Sequence, residues 1–304
     1  MKAAVYKKTQ SGKVLEIQDL ERPVPKDDHV LLRVRAASVN PLDWRLKKHR
    51  PGVDVAGEVV AVGRAVTQLK PGDAVFGACR GAFAEYACAS ETKLVLKPES
   101  LSFEQAAAVP IAGLTALQGL RDKGHLQPGQ KILINGAAGG IGTFAVQIAK
   151  SFGANVTGVC STKNVELVRS LGADRVIDYT RDDFAQGREC YDLILDNVGN
   201  RSLSEMRRVL TPNGQCVMAG APKKMGAVIT RVLTAFSWSL FTEQKFKFFI
   251  ADLDRNDLAA LSVFMKDEKV TPAIDRRYPL AEAANAIAYV EEGHARAKVV
   301  ITFE

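Results

Sequence analysis

The sequence lacks paired cysteines. Its five cysteines are odd in number and widely spaced, and no two of them form a Cys-x-x-Cys pair. A disulfide framework and a four-cysteine zinc site both need such sets, so the sequence favours neither. We interpret these residues as small hydrophobic side chains: Cys79, Cys88, Cys160, Cys190 and Cys216.

Long apolar segments are missing as well. The first residues, MKAAVYKKTQ, have no apolar run of the kind found in signal peptides, and the aromatic-rich stretch 232–249 is interrupted by polar and charged residues. We therefore expect a cytoplasmic protein without an integral membrane segment. Its 304 residues, 47% of them hydrophobic, are enough for two domains with sizeable cores.

Charge of one sign is not concentrated enough to indicate a nucleic-acid partner. The net charge is +7, and the densest basic run, 45–50, is not interleaved with aromatic residues as a nucleic-acid platform would be. We interpret this run as a solvated face, or as an attractive field for an anionic cofactor or a membrane surface.

The pattern of the chain changes near residue 103. Before it, short strands separated by glycine and proline turns, among them one at 82–87, predict a mostly β, barrel-like module. After it, strands and helices alternate, which predicts an α/β unit with a parallel sheet whose ligand lies at the carboxyl ends of the strands. The final strand, 298–303, is expected to return to the first module. The predicted strands of the α/β unit are 131–135, 155–160, 174–177, 192–196 and 214–219.

A glycine turn lies in the stretch ILINGAAGGIGTFAVQIAK, 132–150. It joins a predicted strand to a predicted helix, where free N–H groups and the helix dipole favour a pyrophosphate. The dinucleotide fingerprint occurs as Ala137-x-Gly139-x-x-Gly142, with alanine in the first glycine position. The alternative is a turn used only for tight packing. The predicted phosphate contacts are Ala138, Gly139, Gly140, Ile141 and Gly142.

The end of the second strand of this unit indicates which dinucleotide binds. NAD-binding proteins place an aspartate or glutamate there to hold the ribose hydroxyls. This chain has Ser161, Thr162 and Lys163 instead. Hydroxyls and an ammonium suit a 2′-phosphate, so we predict NADPH. For Lys163 the alternative is a solvated lysine after an ordinary helix cap.

Nine phrases occur along the chain in a recognisable order: AASVNPLD (36–43), PGVDVAGEVVAVG (51–63), KPGDAVF (70–76), FAEY (83–86), AAAVPIAGLTA (106–116), GAAGGIG (136–142), LGADRVIDY (171–179), DNVG (196–199) and AKVVI (297–301). Together they resemble the zinc-independent quinone oxidoreductase, or zeta-crystallin-like, branch of the medium-chain dehydrogenase/reductase superfamily. Within it, the chain is most similar to chloroplast-envelope and mitochondrial quinone-oxidoreductase-like homologues.

This resemblance implies two domains with the active cleft between them. A GroES-like, β-barrel-type substrate domain would span 1–105 and be completed by 268–304, and a Rossmann doubly wound domain would span 106–267. It also implies a homodimer. The implied reaction is hydride transfer from NADPH to a quinone or an α,β-unsaturated carbonyl, a small-molecule acceptor.

The resemblance also bears on metal. Zinc alcohol dehydrogenases of the superfamily have a cysteine where this chain has Asn40, and Gly-His-Glu where it has Gly52-Val53-Asp54. Two ligands of a catalytic zinc are therefore missing. We expect no metal site and no alcohol oxidation by the zinc route.

Site residues follow from the same resemblance. The implied catalytic residues are Asn40, Asp43 and Trp44. Trp44 replaces a tyrosine of many members, which leaves no obvious proton donor, so the proton is expected from solvent. Simpler roles remain open: a turn residue for Asn40, a cap for Asp43, a helix hydroxyl for Thr115 and a core aromatic for Tyr179. The implied cofactor contacts outside the glycine turn are Asn40, Thr115, Ser161, Thr162, Lys163, Tyr179, Asn197, Val198, Gly199, Gly220 and Lys298.

The chain also departs from the family pattern. Asp43 and Pro51 are only eight positions apart, and Phe76 is followed closely by Gly81, where relatives have longer loops. Either the cleft has an open mouth for bulky or amphipathic substrates, or segments are absent from this sequence. Two other functions remain open: an NADPH-binding sensor, scaffold or assembly factor with little turnover, and a peripheral membrane protein docking through residues 236–249.

Overall fold

Contacts between residues divide the chain into two units. The first unit comprises Met1–Leu114 and Leu253–Glu304, and the second comprises Thr115–Asp252. The functional domain boundaries expected at 105 and 267 stay predictions. The computed structural model describes residues 1–10, 12–219, 243–293 and 295–303.

Strands form where β-branched and apolar residues alternate or cluster, as such side chains pack well on a pleated surface. In chain order the strands are β1 (Lys2–Thr9), β2 (Gly12–Asp19), β3 (His29–Ser38), β4 (Asp54–Val62), β5 (Ala74–Ala78), β6 (Tyr86–Ser90), β7 (Leu94–Leu96), β8 (Lys131–Asn135), β9 (Asn155–Cys160), β10 (Arg175–Asp178), β11 (Tyr191–Asp196), β12 (Leu210–Met218), β13 (Lys245–Phe248), β14 (Ile274–Pro279) and β15 (Lys298–Thr302).

Several helices begin at residues whose side chains cap free N–H groups. Ser102 and Ser202 each form a capping box with the glutamine or glutamate three residues later. Among the helices of the described residues, none is long and apolar enough to cross a bilayer. In chain order the helices are α1 (Pro41–Arg45), α2 (Phe103–Ala107), α3 (Pro110–Gln118), α4 (Gly140–Ser151), α5 (Val165–Ser170), α6 (Leu203–Arg208), α7 (Arg255–Lys266) and α8 (Ala283–Glu292).

The first unit is built on a seven-stranded, mostly antiparallel sheet. Its strand order is β14-β15-β3-β4-β5-β7, with β6 also pairing β3, and β1 and β2 form a separate hairpin. Fully buried Leu32, Val75 and Phe83 belong to its core. The C-terminal strand β15 pairs with β3, with Val300 opposite Ser38. This confirms that the end of the chain returns to the first module.

The second unit has a six-stranded sheet in which every pair is parallel. Its order, β10-β9-β8-β11-β12-β13, runs third-second-first-fourth-fifth-sixth along the chain. This is the order of a doubly wound dinucleotide-binding sheet, and the direction of winding reverses between β8 and β11. The α/β prediction is confirmed, and the strands predicted at 131–135 and 155–160 have those bounds.

One predicted strand is wrong. The stretch 82–87 was expected to be a strand, but the strand β6 begins only at Tyr86. The backbone N–H of Phe83 instead donates to the carbonyl of Pro51 at 3.4 Å, and its carbonyl accepts from Ala4 at 2.8 Å. The segment therefore lies as a buried connection between the loop at Pro51 and strand β1, where Ala84 forms an isolated β-bridge with Ala3. Its apolar pattern alone does not distinguish such a connection from a strand.

Candidate functional site

The glycine turn joins β8 to α4 in the second unit. Gly136 has a φ of +80°, which glycine adopts without strain. At Gly142 a Cβ atom would lie 2.1 Å from the carbonyl oxygen of Gly136, so the start of α4 packs against the turn with no room for a side chain. The N-cap residue is Gly139, so no side chain caps the first N–H groups of α4. An anion can therefore approach them.

The loop after β11 lies beside this turn. Asp196, fully buried, accepts hydrogen bonds from the side chain of Asn135 at 2.9 Å and from the backbone N–H of Gly199 at 3.0 Å. The Cβ of Asn197 is 3.6 Å from where a Cβ on Gly136 would be. Both polar atoms of the Asn197 amide are buried, and neither has a hydrogen-bond partner among the described residues. A bound polar ligand would satisfy this amide.

The predicted 2′-phosphate contacts follow β9 and β10. Ser161 is half-buried and Lys163 is exposed, whereas the Thr162 hydroxyl donates to the carboxylate of Asp178 at 2.6 Å. That hydrogen bond, assisted by others from Thr180, lowers the pKa of Asp178. Tyr179 is 56% exposed, so the core-aromatic alternative is wrong. Lys163 and Tyr179 thus remain available to a ligand. The Ser161 hydroxyl accepts from Asn164 Nδ2 at 3.2 Å and still has its own proton to donate, whereas the Thr162 hydroxyl donates to Asp178.

A buried polar cluster lies in the first unit, where β15, β3 and β4 are neighbours. Asn40 donates through Nδ2 to Asp54 Oδ2 at 2.8 Å and accepts at Oδ1 from Lys298 Nζ at 2.7 Å. Ser38 donates to the same Asp54 oxygen at 2.7 Å, and Lys298 Nζ lies 3.6 Å from it. All four side chains are buried. Burial lowers the pKa of Lys298, a shift opposed by nearby carboxylates.

Asp43 connects this cluster to the next turn. Its Oδ2 accepts from the backbone N–H of Asn40 and its Oδ1 from that of Gly52, both at 2.8 Å. Asp43 thus has the capping role that the simpler interpretation predicts. Burial raises the pKa of Asp43 to about 6; the two backbone donors oppose the shift and Asp54 adds to it.

The indole of Trp44 cannot act as an acid in place of the tyrosine that many family members have at this position. The ring packs against the core of the first unit, and the Arg45 guanidinium lies 5.0 Å from its centroid. Its Nε1 is buried, with no hydrogen-bond partner among the described residues. An indole N–H donates hydrogen bonds but does not titrate in the physiological range.

A cavity of about 310 Å³ opens beside α1, and Asp43 and Gly52 form part of its wall. It lies at the first of the two shortened loops, between Asp43 and Pro51. The buried cluster, Asp43 and this cavity therefore form one continuous region of the first unit.

The structure groups the predicted residues in three places. Asn40, Asp43 and Lys298 lie in the first unit; the glycine turn and residues 197–199 lie together in the second; Ser161, Lys163 and Tyr179 lie at the ends of β9 and β10. Gly220 lies outside the described residues. Sequence reasoning gave no role to Asp54 or Asp178.

Known proteins share this architecture. The Alcohol dehydrogenase GroES-like domain family matches residues 26–99 and the Zinc-binding dehydrogenase family residues 171–301. The chain is 34% identical over 314 residues to the "Chloroplast envelope quinone oxidoreductase homolog" of Arabidopsis thaliana, covering 94% of this chain and 93% of the relative. It is 34% identical over 327 residues to the "NADPH-dependent alkenal/one oxidoreductase, chloroplastic" of the same plant, covering 99% and 79%.

A solved structure agrees in fold over the full length. The quinone oxidoreductase from Coxiella burnetii superposes with a TM-score of 0.86 at 28% identity, covering 100% of this chain and 99% of that one. A nucleotide-binding parallel sheet joined to a GroES-like module defines a class of dehydrogenases and reductases. The chain belongs to the medium-chain dehydrogenase/reductase superfamily, with quinone oxidoreductase-like relatives, and the family and fold predicted from the sequence are confirmed.

The family description raises the question of zinc, which the residues of the buried cluster answer. The amide of Asn40 stands beside Asp54, and the ammonium of Lys298 lies within 3.6 Å of both. Structural and catalytic zinc sites use thiolates, imidazoles and carboxylates, and an ammonium at that distance would repel a cation. In the part of the chain that the structure describes, no group of three or more His, Cys, Asp or Glu side chains could hold a metal ion. These residues do not fit zinc.

Proposed function

We propose that this protein is a zinc-independent oxidoreductase that uses NADPH to reduce a quinone or an α,β-unsaturated carbonyl. The observation that carries the proposal is the buried amide of Asn197, which has no hydrogen-bond partner among the described residues and lies beside the glycine turn, where the strand order reverses. Ligands of doubly wound sheets bind at this position. The names of the two Arabidopsis relatives, a quinone oxidoreductase homologue and an alkenal/one oxidoreductase, support the same chemistry.

The residues of the second unit would bind and orient the cofactor. Backbone N–H groups of 138–142 would hold the pyrophosphate, and the Asn197 amide would gain the hydrogen bonds it lacks. Thr115 and residues 198–199 are further proposed contacts. The bound NADPH would supply the hydride, and the protein would position and orient it.

Ser161, Lys163 and Tyr179 support NADPH rather than NADH. Lys163 is exposed and Ser161 offers a hydroxyl, so both could hold a 2′-phosphate. Thr162 is left out of this set because its hydroxyl is bonded to Asp178.

The first unit would supply the acceptor side. Asn40 is held from both sides, by Asp54 and by Lys298, so its position is fixed before any ligand arrives. Trp44 cannot supply a proton and both oxygens of Asp43 already accept hydrogen bonds. The proton that completes the reduction therefore comes from solvent in this proposal.

The direct test is consumption of NADPH by the purified protein with 1,2-naphthoquinone and with 2-alkenals as acceptors. Turnover with either acceptor class supports the proposal. Stoichiometric NADPH binding without turnover of any acceptor would instead establish the cofactor-binding scaffold or sensor.

Cofactor choice is tested by Lys163→Asp, with Lys70→Asp, at an exposed lysine of the first unit, as the control. We expect the Lys163 variant to weaken NADPH binding roughly tenfold and NADH binding little. An equal loss for both nucleotides would remove Lys163 from the site.

Dimerisation and a cytoplasmic location stay predictions. The proposed membrane-docking patch, 236–249, is described only from residue 243 onward. In that part Phe246 and Phe249 are buried, and the Lys247 ammonium donates to the carbonyl of Lys123 at 2.7 Å. Phe246 and Phe249 therefore pack within the second unit, whereas Lys245 and Phe248 of the same patch are exposed, and membrane docking stays a prediction.

A further inference from the structure

The cavity beside α1 is lined by an unusual excess of basic side chains. Lys48, His49, Arg50 and Arg80 line it, and Asp43 is its one acidic lining residue in the part of the chain that the structure describes. Its volume of about 310 Å³ is within the range of small-molecule sites. The positive charge at its mouth raises the local concentration of anions.

Lys48, Arg50 and Arg80 are available to a ligand, whereas Nδ1 of His49 lies 3.4 Å from the carbonyl oxygen of Tyr6. None of the four forms an ion pair with an acidic side chain in the described ranges. The Arg50 Nε is buried and lacks a hydrogen-bond partner among those residues. Arg50 is also held in place, because its guanidinium packs over Gly81, where a Cβ would lie 3.0 Å from Nε.

The carboxylate of Asp43 offsets only part of this charge. Both oxygens of Asp43 accept backbone hydrogen bonds, from Asn40 and Gly52, so they face the backbone N–H groups of these two residues. Burial further raises the pKa of Asp43 to about 6, which favours its neutral form relative to an ordinary aspartate.

The remaining walls are apolar. Leu42 and Leu46 come from α1 and the residue after it, and Pro51 and Val53 from the following turn. An apolar wall with basic groups at one side suits a molecule that has an apolar body and one anionic group.

We propose that this cavity binds the acceptor and selects acceptors that carry a carboxylate or sulfonate on an apolar body. This inference rests on the proposed function, since it names the acceptor class of that reaction. The apolar part would lie against Leu42, Leu46 and Pro51, and the anionic group would bind Arg50 and Arg80.

Binding can be measured without turnover. The probes are 3-benzoylpropionate, which is anionic, and its methyl ester, which is uncharged. Both resemble an aromatic enone acceptor but lack the reactive carbon–carbon double bond. Calorimetry on the full-length protein is expected to show tighter binding of the acid than of the ester, and a loss of that preference as salt rises from 50 to 500 mM. Equal affinity of acid and ester, or tighter binding of the ester, would overturn the inference.

Two variants test whether the preference for the acid over the ester arises in this cavity. Lys48→Gln/Arg80→Gln changes two exposed side chains and is expected to weaken binding of the acid roughly fivefold, with binding of the ester unchanged. The control Lys70→Gln removes an exposed charge near the far end of β4. If the control weakens the acid as much as the double variant does, the inference is wrong.

Turnover separates this inference from the proposed function. With NADPH, kcat/KM for 3-benzoylacrylate should exceed that for its ethyl ester, and the ratio should fall in the double variant. Reduction of 1,2-naphthoquinone with no acid preference would reject the cavity alone. Acid-selective calorimetry without any turnover would reject the reductase and leave the anion-selective cavity standing.

Discussion

The two buried polar regions of this protein differ in how completely their groups are satisfied. In the first unit, Asn40 and Lys298 bond to each other, and Asp54 accepts from Ser38, Asn40 and the backbone N–H of Ile111. In the second unit, the Asn197 amide has no partner among the described residues. Both regions are buried, so the difference is one of partners and not of solvent.

From this difference we infer that the cluster of the first unit is a rigid structural support and that the Asn197 amide of the second unit is a ligand-binding group. A network whose members are all bonded is part of the folded structure and fixes its own geometry. A buried amide without a partner costs stability in the free protein and regains it when a ligand binds. We therefore expect changes in the first region to act on stability and changes in the second to act on NADPH affinity.

The largest effect is expected from Lys298→Met. This change leaves the Asp54 carboxylate buried without its cation, which should lower the free energy of unfolding by about 3–5 kcal/mol. Thermal unfolding measures the loss. The double variant Lys298→Met/Asp54→Asn should recover at least half of it. A single variant as stable as the wild type would show that the pair is not a support.

A stability effect of similar size is expected from pH through Asp43. Its pKa is raised in the folded protein to about 6, so its stabilising contribution is complete below pH 4 and is lost as pH rises through 6. The free energy of unfolding of the wild type, relative to that of the Asp43→Asn variant, should fall by about 3 kcal/mol between pH 4 and pH 7.5. Chemical unfolding at four pH values measures this difference. A difference that rises with pH would mean that the two N–H donors outweigh burial.

Gly142→Ala tests how tightly the glycine turn packs against the start of α4 in the second unit. Its Cβ would lie 2.1 Å from a backbone oxygen, so we expect a loss of about 1–3 kcal/mol in stability and weakened NADPH binding. The control is Gly139→Ala, whose Cβ would have its nearest contact at 3.4 Å and should leave unfolding unchanged. Equal unfolding temperatures for the two variants would contradict the packing described for the turn.

The smallest and most selective effect is expected from Asn197→Ala. NADPH affinity should fall roughly fivefold, which is about 1 kcal/mol, while the unfolding temperature stays the same or rises slightly. Asn40→Ala should show the opposite balance, with a clear loss of stability. If Asn197→Ala destabilises the protein without changing NADPH affinity, the ligand-binding role of the amide is wrong.

Sequence patterns predicted the parts of the fold that local chemistry determines. The β-branched runs of β8 and β9 end at a glycine turn and at polar residues, so their bounds could be read directly. The bond between Lys298 and Asn40 joins residues 258 positions apart, and no local pattern carries that information. Their placement came from family resemblance, and the role of Asp54 required the three-dimensional contact.

Asp178, near the predicted 2′-phosphate contacts, is a second residue whose contact could not be predicted from local sequence. The end of β9 lacks a carboxylate, and this predicted NADPH. Asp178 belongs to β10, yet it reaches Thr162 because β10 and β9 are parallel neighbours. Sequence reasoning along one strand could not include a group supplied by the adjacent strand.

The central claim is that the glycine turn and the Asn197 amide bind NADPH, and calorimetric titration of NADPH into the purified, folded wild-type protein tests it most directly. We expect one nucleotide bound per chain, with a weaker constant for Asn197→Ala under the same conditions. Absence of binding heat with both NADPH and NADH, across temperatures where the protein stays folded, would contradict the account.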